Sequence, residues 1–189
     1  MEYQPITKDD IDPIIELTLT YLTNGEYIAD EICRAAEEGN YYGVKAVEDG
    51  KIVGFNTVKR GIEFTLPHPE IEKVIRNLTP DEACVFNGDS FYVDRNYRRR
   101  GIGRELTFLA RDQMMALGGR YFLGELWVHP DGVVPASTPN SYYGETVFER
   151  LVPFFYRDLP RYGMRCPICG DDCQCSAVVR LTRFKGDKE

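Results

Sequence analysis

The chain has 189 residues, 43% of them hydrophobic and 28% charged, a composition that is ordinary for a globular protein large enough to bury a core. Its net charge of -7 argues against nucleic acid as a partner. The chain has no apolar run of about 18 residues, and its N-terminus, MEYQPITKDD, is polar. We therefore expect no transmembrane helix, no secretory signal and no membrane partner.

The first quarter of the chain predicts one strand and two helices. Residues 1–6 have the length of a short strand. Thr7, followed three residues later by Asp10, is typical of a capping box, and the apolar residues after it recur at helical spacing as far as Leu22. Asn24-Gly25 ends that helix, and residues 26–38 predict the second one.

The central part of the chain predicts a hairpin and then a longer strand. Residues 41–47 and 52–58 are strand-like runs around Asp49-Gly50, a strong hairpin signal. Residues 62–66 would continue the sheet, and residues 70–77 predict a short polar helix. Residues 83–93 predict a strand with a break or bulge near Asn87-Gly88.

The remaining part of the chain predicts a helix, a strand, a loop, a second helix and a final hairpin. Apolar residues fall on one face of the first helix: Ile102, Leu106, Leu109, Ala110 and Leu117. Residues 120–128 predict the strand, 129–143 the loop and 146–159 the second helix. The hairpin strands are 163–168 and 176–184, and residues 186–189 predict a disordered tail. We therefore expect a single α+β domain over residues 1–185, with one strand–helix–strand unit and a Cys-rich hairpin at 164–184.

The stretch from Phe91 to Leu117 carries the clearest functional pattern. A strand runs into a basic turn, the glycines Gly101 and Gly103, and an amphipathic helix. Glycines allow close approach of the backbone to a ligand, and the free N–H groups of a helix N-terminus favour an anion. The residues alone therefore predict phosphate binding. The pattern lacks the Gly-Lys-Ser/Thr of a P-loop and the third glycine of the dinucleotide fingerprint.

With its arginines included, this stretch resembles the GNAT superfamily of N-acetyltransferases. The segment RRRGIG, from Arg98 to Gly103, matches the family signature Gln/Arg-x-x-Gly-x-Gly/Ala, and FYVD precedes it. The segments ITKDDIDPIIEL and EDGKIVGFNTV also look like the family's early strands and first helix. The resemblance implies a three-layer fold, in which helices flank a central mixed, mostly antiparallel sheet. It also implies transfer of an acetyl group from acetyl-CoA to an amine by direct attack.

The resemblance further implies how the cofactor is held. The backbone of Phe91 and Val93 would pair with the pantetheine arm, and the amides from Arg99 to Arg104 would hold the pyrophosphate. The residues that it assigns to the cofactor are Phe91, Tyr92, Val93, Arg98, Arg99, Arg100, Gly101, Ile102, Gly103, Arg104 and Asn140.

The catalytic residues are less well defined by the sequence. Asp89 and Glu125 are the candidate bases by position, and a carboxylate such as Glu125 in an apolar strand is unusual unless it is paired or functional. Alternatively, Glu125 is exposed or paired with Arg120 or Arg104, and Asp89 is a turn or bulge residue.

The resemblance implies that a tyrosine on the last helix acts as the acid. Tyr156 is the candidate, with Tyr162 as the alternative, although Tyr156 would equally fit an aromatic core stripe. His129 is a further candidate base, but its position in a loop is more typical of an incidental residue.

The cysteines form a separate pattern. Of six, four are clustered as a Cys-x-x-Cys-Gly motif followed by Cys-x-Cys: Cys166, Cys169, Cys173 and Cys175. Four thiolates from two close pairs could surround a structural Zn²⁺. A bare thiol cluster, a local disulfide and an iron–sulfur site remain open. The uneven placement argues against a disulfide framework and favours a reducing, cytoplasmic setting.

Two further functions remain open on the sequence. One is a non-catalytic acyl-CoA sensor, and the other is a zinc-anchored protein-interaction module. The acceptor amine is not specified, whether on a small molecule or a protein, but segments 25–40, 60–82 and 129–143 are expected to wall its site. The oligomeric state is equally open, with a homodimer among the options.

Overall fold

A computed structural model describes residues 1–22, 25–132 and 143–185. The strands are β1 (Glu2–Pro5), β2 (Tyr42–Glu48), β3 (Lys51–Arg60), β4 (Val85–Val93), β5 (Tyr121–Val128), β6 (Gly144–Val152) and β7 (Ser176–Phe184). The α-helices are α1 (Ile11–Tyr21), α2 (Glu26–Glu37), α3 (Pro69–Leu78) and α4 (Ile102–Ala116). Short 3-10 helices lie at Lys8–Asp10, Glu82–Cys84 and Leu159–Tyr162. None of the helices in these ranges combines the length and the apolarity needed to cross a bilayer.

All of these strands belong to one open sheet, in the order β1-β2-β3-β4-β5-β7-β6. Every neighbouring pair is antiparallel except β4 and β5, which are parallel. Helix α4 makes the crossover between those two strands, as parallel pairing requires. The α+β class, the mostly antiparallel sheet and the strand–helix–strand unit are therefore confirmed.

Helices cover both faces of the sheet, so the fold has three layers. Adjacent residues of β4 show the division, since successive side chains of a strand point to opposite faces. Phe86 packs with Met114 of α4, whereas Val85 packs with Ile71 and Ile75 of α3. On the face of α3 also lie α1 and α2, through side chains such as Ile14 and Ile28.

Several local predictions are confirmed. The Asp10 carboxylate accepts from the backbone N–H and the hydroxyl of Thr7, each at 2.8 Å, as the capping pattern predicts. Asp49 and Gly50 both have positive φ, which is the backbone that an Asp-Gly hairpin turn requires. The β3–β4 ladder shifts register so that Asp89 has no partner, one residue beyond the predicted bulge site.

The helix predicted at residues 146–159 is wrong. Residues 144–152 form β6, an edge strand that pairs antiparallel with β7. The register shifts between Thr146 and Phe148, leaving Val147 without a partner in the ladder. That bulge breaks the two-residue alternation of apolar side chains, so the strand has a helix-like spacing in the sequence.

Two strand predictions are also wrong. Residues 62–66 are irregular, although Ile62 and Leu66 are buried in the core under α3. Residues 163–168 contain no strand, because a 3-10 helix ends at Gly163 and a tight turn follows from Cys166 to Gly170. Residues 164–175 are therefore a loop rather than the first arm of a hairpin. The predicted tail, 186–189, lies outside the described residues.

Helix α4 provides a test of the core. Leu106 is fully buried and Leu117 is 38% exposed, although the sequence pattern places both on the same apolar face. We expect Leu106→Ala to lower the free energy of unfolding by about 2–5 kcal/mol, because it leaves a cavity under the helix. Leu117→Ala should change it by less than about 0.5 kcal/mol. Thermal and urea denaturation measure both, and equal losses would contradict this placement of α4.

Candidate active site

The site begins where β4 and β5 part. The two strands pair only from Val85 to Asn87 and from Tyr121 to Leu123. Beyond that point β4 continues to Val93 with β3 on one side, and β5 continues to Val128 with β7 on its far side. The facing edges of β4 and β5 beyond this point therefore have no strand partner within the described residues, and we call this parting of the two strands the fork.

The backbone of β4 presents hydrogen-bonding groups to this fork. The Asp94 N–H donates to the Val53 carbonyl of β3 at 2.8 Å. Because N–H and C=O groups of alternate residues point to the same side of a strand, those of Phe91 and Val93 point away from β3. Arg98 Nε donates to the Val93 carbonyl at 2.9 Å, which fits an outward orientation of that carbonyl.

Two residues predicted to bind the cofactor have their side chains in the core instead. The Tyr92 ring lies on the face of the sheet that α1 covers, 5.6 Å from the Phe55 ring and stacked on Tyr21 at 5.2 Å. Burial raises the pKa of Tyr92 to about 12. Ile102 is buried beneath α4 with Leu106. Neither side chain is therefore available to a ligand, and the backbone groups of Tyr92 face β3.

The turn after β4 ends in an exposed helix N-terminus. Arg99 has φ +62° and Gly101 has φ +81°, so the chain passes twice through the left-handed region before α4 starts at Ile102. A Cβ on Gly103 would lie 3.3 Å from the Phe91 ring, so a side chain there would crowd the end of β4. The free N–H groups of the first turn of α4 therefore lie beside the open edge of β4.

The arginines around this turn divide into two groups. Arg98 and Arg100 are held by the protein, since Arg100 donates to the Asn96 carbonyl at 3.2 Å and lies 5.0 Å over the Tyr97 ring. Arg99 and Arg104 are exposed and have no ion pair or side-chain hydrogen bond within the described residues. The surface beside the helix N-terminus is therefore strongly cationic and suited to a polyanion.

Glu125 lies on β5, two residues past the point where the strands part. Its Oε1 accepts from the Thr65 N–H at 2.9 Å, whereas its Oε2 is buried and has no hydrogen-bond partner in the described part of the chain. Burial raises the pKa of this carboxyl to about 7, against the smaller opposing effects of Thr65 and Lys59. The predicted alternatives, an exposed residue or a pair with Arg120 or Arg104, do not describe this residue.

Asp89 occupies the bulge of β4 and is fully engaged. Its carboxylate pairs with Lys59 at 3.2 Å and accepts from the hydroxyls of Thr57 at 3.0 Å and Tyr41 at 3.3 Å. Lys59 is also bound to Glu31, and its pKa is raised because these carboxylates outweigh the effect of burial. Asp89 is therefore part of a charged network that fixes the bulge.

The other candidate catalytic residues, Tyr156, Tyr162 and His129, lie in three different environments. Tyr156 belongs to the connection between β6 and β7, not to a helix, and its buried ring stacks on Trp127 of β5 at 4.2 Å. Burial raises its pKa well above the ordinary value, and Glu125 is close enough to contribute. Tyr162 is exposed, and His129 follows the end of β5. Asn140 lies outside the described residues.

The four clustered cysteines come together in the connection from β6 to β7, residues 153–175, which we call the cysteine segment. All their sulfur atoms lie within 4.8 Å of one another. Burial acts to raise the pKa of the Cys166 thiol, but the N–H groups of Cys169 and Ile168 lower it below its ordinary value. The structure therefore unites the four residues that the sequence pattern selected.

A sequence comparison decides the family. The family model described as "Acetyltransferase (GNAT) family" matches residues 11–136, which is two thirds of the chain. The chain belongs to the GNAT acetyltransferase family. The matched region contains the β4–α4 turn, the open edge of β4 and Glu125, but ends before the cysteine segment. A comparison with curated proteins finds no match.

Solved structures show the same fold as this GNAT chain at low sequence identity. NAA60 from Arabidopsis thaliana, bound to a bisubstrate analogue, has a TM-score of 0.62 and 16% identity, with 98% of this chain and 99% of that chain covered. The yncA protein from Salmonella typhimurium, with acetyl-CoA, has a TM-score of 0.56 and 11% identity over 100% and 96%. The aminoglycoside 6'-N-acetyltransferase from Enterococcus faecium has a TM-score of 0.57 and 12% identity over 100% of both chains. At these identities the likeness concerns the fold alone.

Two residues that contact β5, Thr65 and Tyr143, are not singled out by any pattern in the sequence. Thr65 supplies the N–H to Glu125 from an irregular segment that the sequence pattern assigned to the sheet. Tyr143 is buried, stacks on Phe122 at 4.0 Å and accepts a hydrogen bond from Asn56 at 3.2 Å. The alternation of Leu123, Glu125 and Trp127 indicates which face Glu125 occupies, but nothing local in the sequence indicates its donor.

The raised pKa of Glu125 has a consequence for stability. The folded protein keeps a proton up to about pH 7 that the unfolded chain releases near pH 4.5, so this group lowers stability as the pH rises between those values. The difference corresponds to about 3 kcal/mol above pH 7. Most of this loss falls between pH 5 and pH 8, so the stability of Glu125→Gln relative to wild type should rise by about 2–3 kcal/mol from pH 5 to pH 8, as measured by urea unfolding at both values.

Glu38→Gln is the matched control, because Glu38 is exposed at the end of α2. Its stability relative to wild type should not change with pH. A Glu125→Gln variant that behaves like this control would show that the Glu125 carboxyl titrates normally.

Proposed function

We propose that the protein transfers the acetyl group of acetyl-CoA to an amine by direct attack of the amine. Family membership and the structural neighbours crystallised with coenzyme A or acetyl-CoA support the donor. The observation that carries the proposal is the fork between β4 and β5. One side of the fork leads to a cationic helix N-terminus, and the other bears a buried carboxyl oxygen without a partner.

The cofactor would lie along β4. The outward N–H and C=O groups of Phe91 and Val93 can pair with the amide groups of the pantetheine arm, as in addition of a strand to a sheet edge. The N–H groups between Arg99 and Arg104 would then hold the pyrophosphate at the start of α4, with the exposed arginine side chains around it. A β4 N–H beside the thioester would stabilise the oxyanion that develops on the carbonyl.

We assign the base to Glu125 rather than to Asp89. A carboxylate with a pKa of about 7 accepts a proton efficiently near neutral pH, and its Oε2, which has no partner within the described residues, would accept a hydrogen bond from the bound amine or from a water. Asp89 is committed to Lys59 and two hydroxyls. In the reaction, the amine nitrogen bonds to the acetyl carbon, the carbon–sulfur bond breaks, and the amine proton passes to Glu125.

Tyr156 remains the proposed acid for the departing thiolate. Its raised pKa keeps the phenol protonated at neutral pH, so the hydroxyl can donate. Its stacking on Trp127 places it on the same face of β5 as Glu125. The role of Tyr156 therefore rests on its position beside the fork and not on the helix that the sequence pattern suggested.

The cofactor half is tested by Gly101→Ala. Alanine at φ +81° costs about 1–2 kcal/mol and displaces the N–H groups of the turn, so we expect the affinity for acetyl-CoA to fall at least about tenfold. Isothermal titration with acetyl-CoA measures this. Gly39→Ala is the control, because Gly39 has φ +71° and open space around its Cβ, so its strain is similar but acetyl-CoA affinity should not change. Absence of acetyl-CoA binding by the wild type at millimolar ligand would refute the proposed function.

The catalytic half is tested once a screen of amines, read out by free thiol, has found an acceptor. Glu125→Gln should lower kcat by about 10²–10⁴-fold, leave the KM for acetyl-CoA unchanged and remove the rise of kcat with pH near 7. Glu38→Gln should match the wild type. Full activity of Glu125→Gln would exclude Glu125 as the base, and acetyl-CoA binding without transfer to any amine would favour an acyl-CoA sensor.

A further inference from the structure

The cysteine segment covers one face of the sheet without regular structure to support it. Its described secondary structure consists of the 3-10 helix at Leu159–Tyr162 and one isolated bridge between Cys166 and Gly170. Four of its apolar side chains are nevertheless buried in the core with residues of β5, β7 and α3: Phe155, Tyr156, Leu159 and Met164. A long irregular segment in the core needs a source of order other than a helix or a ladder.

The thiols at the end of this segment have the spacing of a tetrahedral metal site. The Cys166 and Cys175 sulfurs are 3.9 Å apart, and those of Cys169 and Cys175 are 3.6 Å apart. Four sulfurs at about 2.3 Å from a Zn²⁺ ion form a tetrahedron with edges of about 3.8 Å. A disulfide requires about 2.05 Å, and all of these cysteines are free.

The backbone around the first pair favours thiolates. The N–H groups of Ile168 and Cys169 point at the Cys166 sulfur, at 3.4 Å and 3.3 Å. The turn is closed by reciprocal hydrogen bonds between Cys166 and Gly170, and Gly170 has φ +73°. The glycine of Cys-x-x-Cys-Gly is therefore required by the backbone of the turn that aims two sulfurs at one point.

The second pair, Cys173 and Cys175, lies next to aromatic residues that also pack beside the fork. The Trp127 indole N–H is buried next to Cys175 and makes no well-formed hydrogen bond with the described residues. Trp127 stacks on Tyr156, and Phe155 stacks on His68 at the start of α3 at 4.1 Å. The Tyr27 hydroxyl of α2 also contacts the Met164 sulfur at 2.8 Å. The cysteine segment therefore contacts β5, the start of α3 and α2.

We propose that Cys166, Cys169, Cys173 and Cys175 bind one structural Zn²⁺ ion, which fixes the cysteine segment against β5 and α3. Four thiolates close the coordination sphere, so the ion has no open position for catalysis. The ion orders Phe155 and Tyr156 and so builds the wall of the fork on the side of Glu125. That consequence for the acceptor side rests on the proposed function, whereas binding of the metal does not.

The test begins with elemental analysis of the purified wild-type protein. We expect about one zinc per chain after purification under reducing conditions without added metal. A strong chelator should remove it and lower the Tm by at least about 10 °C. Co²⁺ added to the chelated protein should give the visible spectrum of a tetrahedral tetrathiolate. These measurements use the wild type, so they stay decisive if cysteine variants fail to fold, and they do not depend on acetyl transfer.

Variants assign the ligands. The double variant Cys173→Ser/Cys175→Ser should lose the zinc, and Cys33→Ser, which changes a cysteine of α2 outside the cluster, should retain it. Iron with inorganic sulfide, a mass decrease from disulfide formation, or metal-free protein with all thiols reactive would each overturn the proposal. Zinc retained in the double variant would overturn the assignment of the ligands.

Discussion

The fold depends on the unequal pairing of the two edges of β5. Its edge towards β7 is paired along its whole length, from Tyr121 to Val128, whereas its edge towards β4 is paired over only three residues. The ladder to β7 supports β5, and the ladder to β3 supports β4, so each strand stays ordered beyond the point where their own pairing ends. All the features that we assign to the reaction lie at this opening or next to it.

The two halves of the site depend on different kinds of structure. The cofactor half is local, because Phe91, Val93 and the start of α4 are contiguous in the sequence and are set by backbone conformation. The acceptor half is assembled from distant parts of the chain: Glu125 on β5, Thr65 before α3, and Tyr156 in the cysteine segment. Of these three residues, Thr65 and Glu125 lie within the family match, and Tyr156 lies beyond its end at residue 136.

This division also explains what could be predicted from the sequence. The turn after β4 and its glycines are predictable because the backbone conformation there depends on neighbours in the chain. The strand β6 was predicted to be a helix, because its bulge at Val147 produces a spacing of apolar residues that only the pairing with β7 explains. The donor to Glu125 could not be identified, since the Thr65 N–H reaches it across 60 residues of sequence. The cysteines were grouped correctly by spacing, but the aromatic stack that connects them to the fork depends on tertiary packing.

The position of β7 has a consequence for how the chain reaches this structure. It is the last of the described strands to be synthesised, yet it lies between β5 and β6 in the sheet. Until it is made, β5 has a free edge on that side and β6 has no partner strand within the described sheet. The nascent chain can complete α4 and the ladders from β1 to β4, but it carries two unpaired strands that invite wrong pairing. Closure of the sheet is therefore expected to be a late event, completed when β7 inserts.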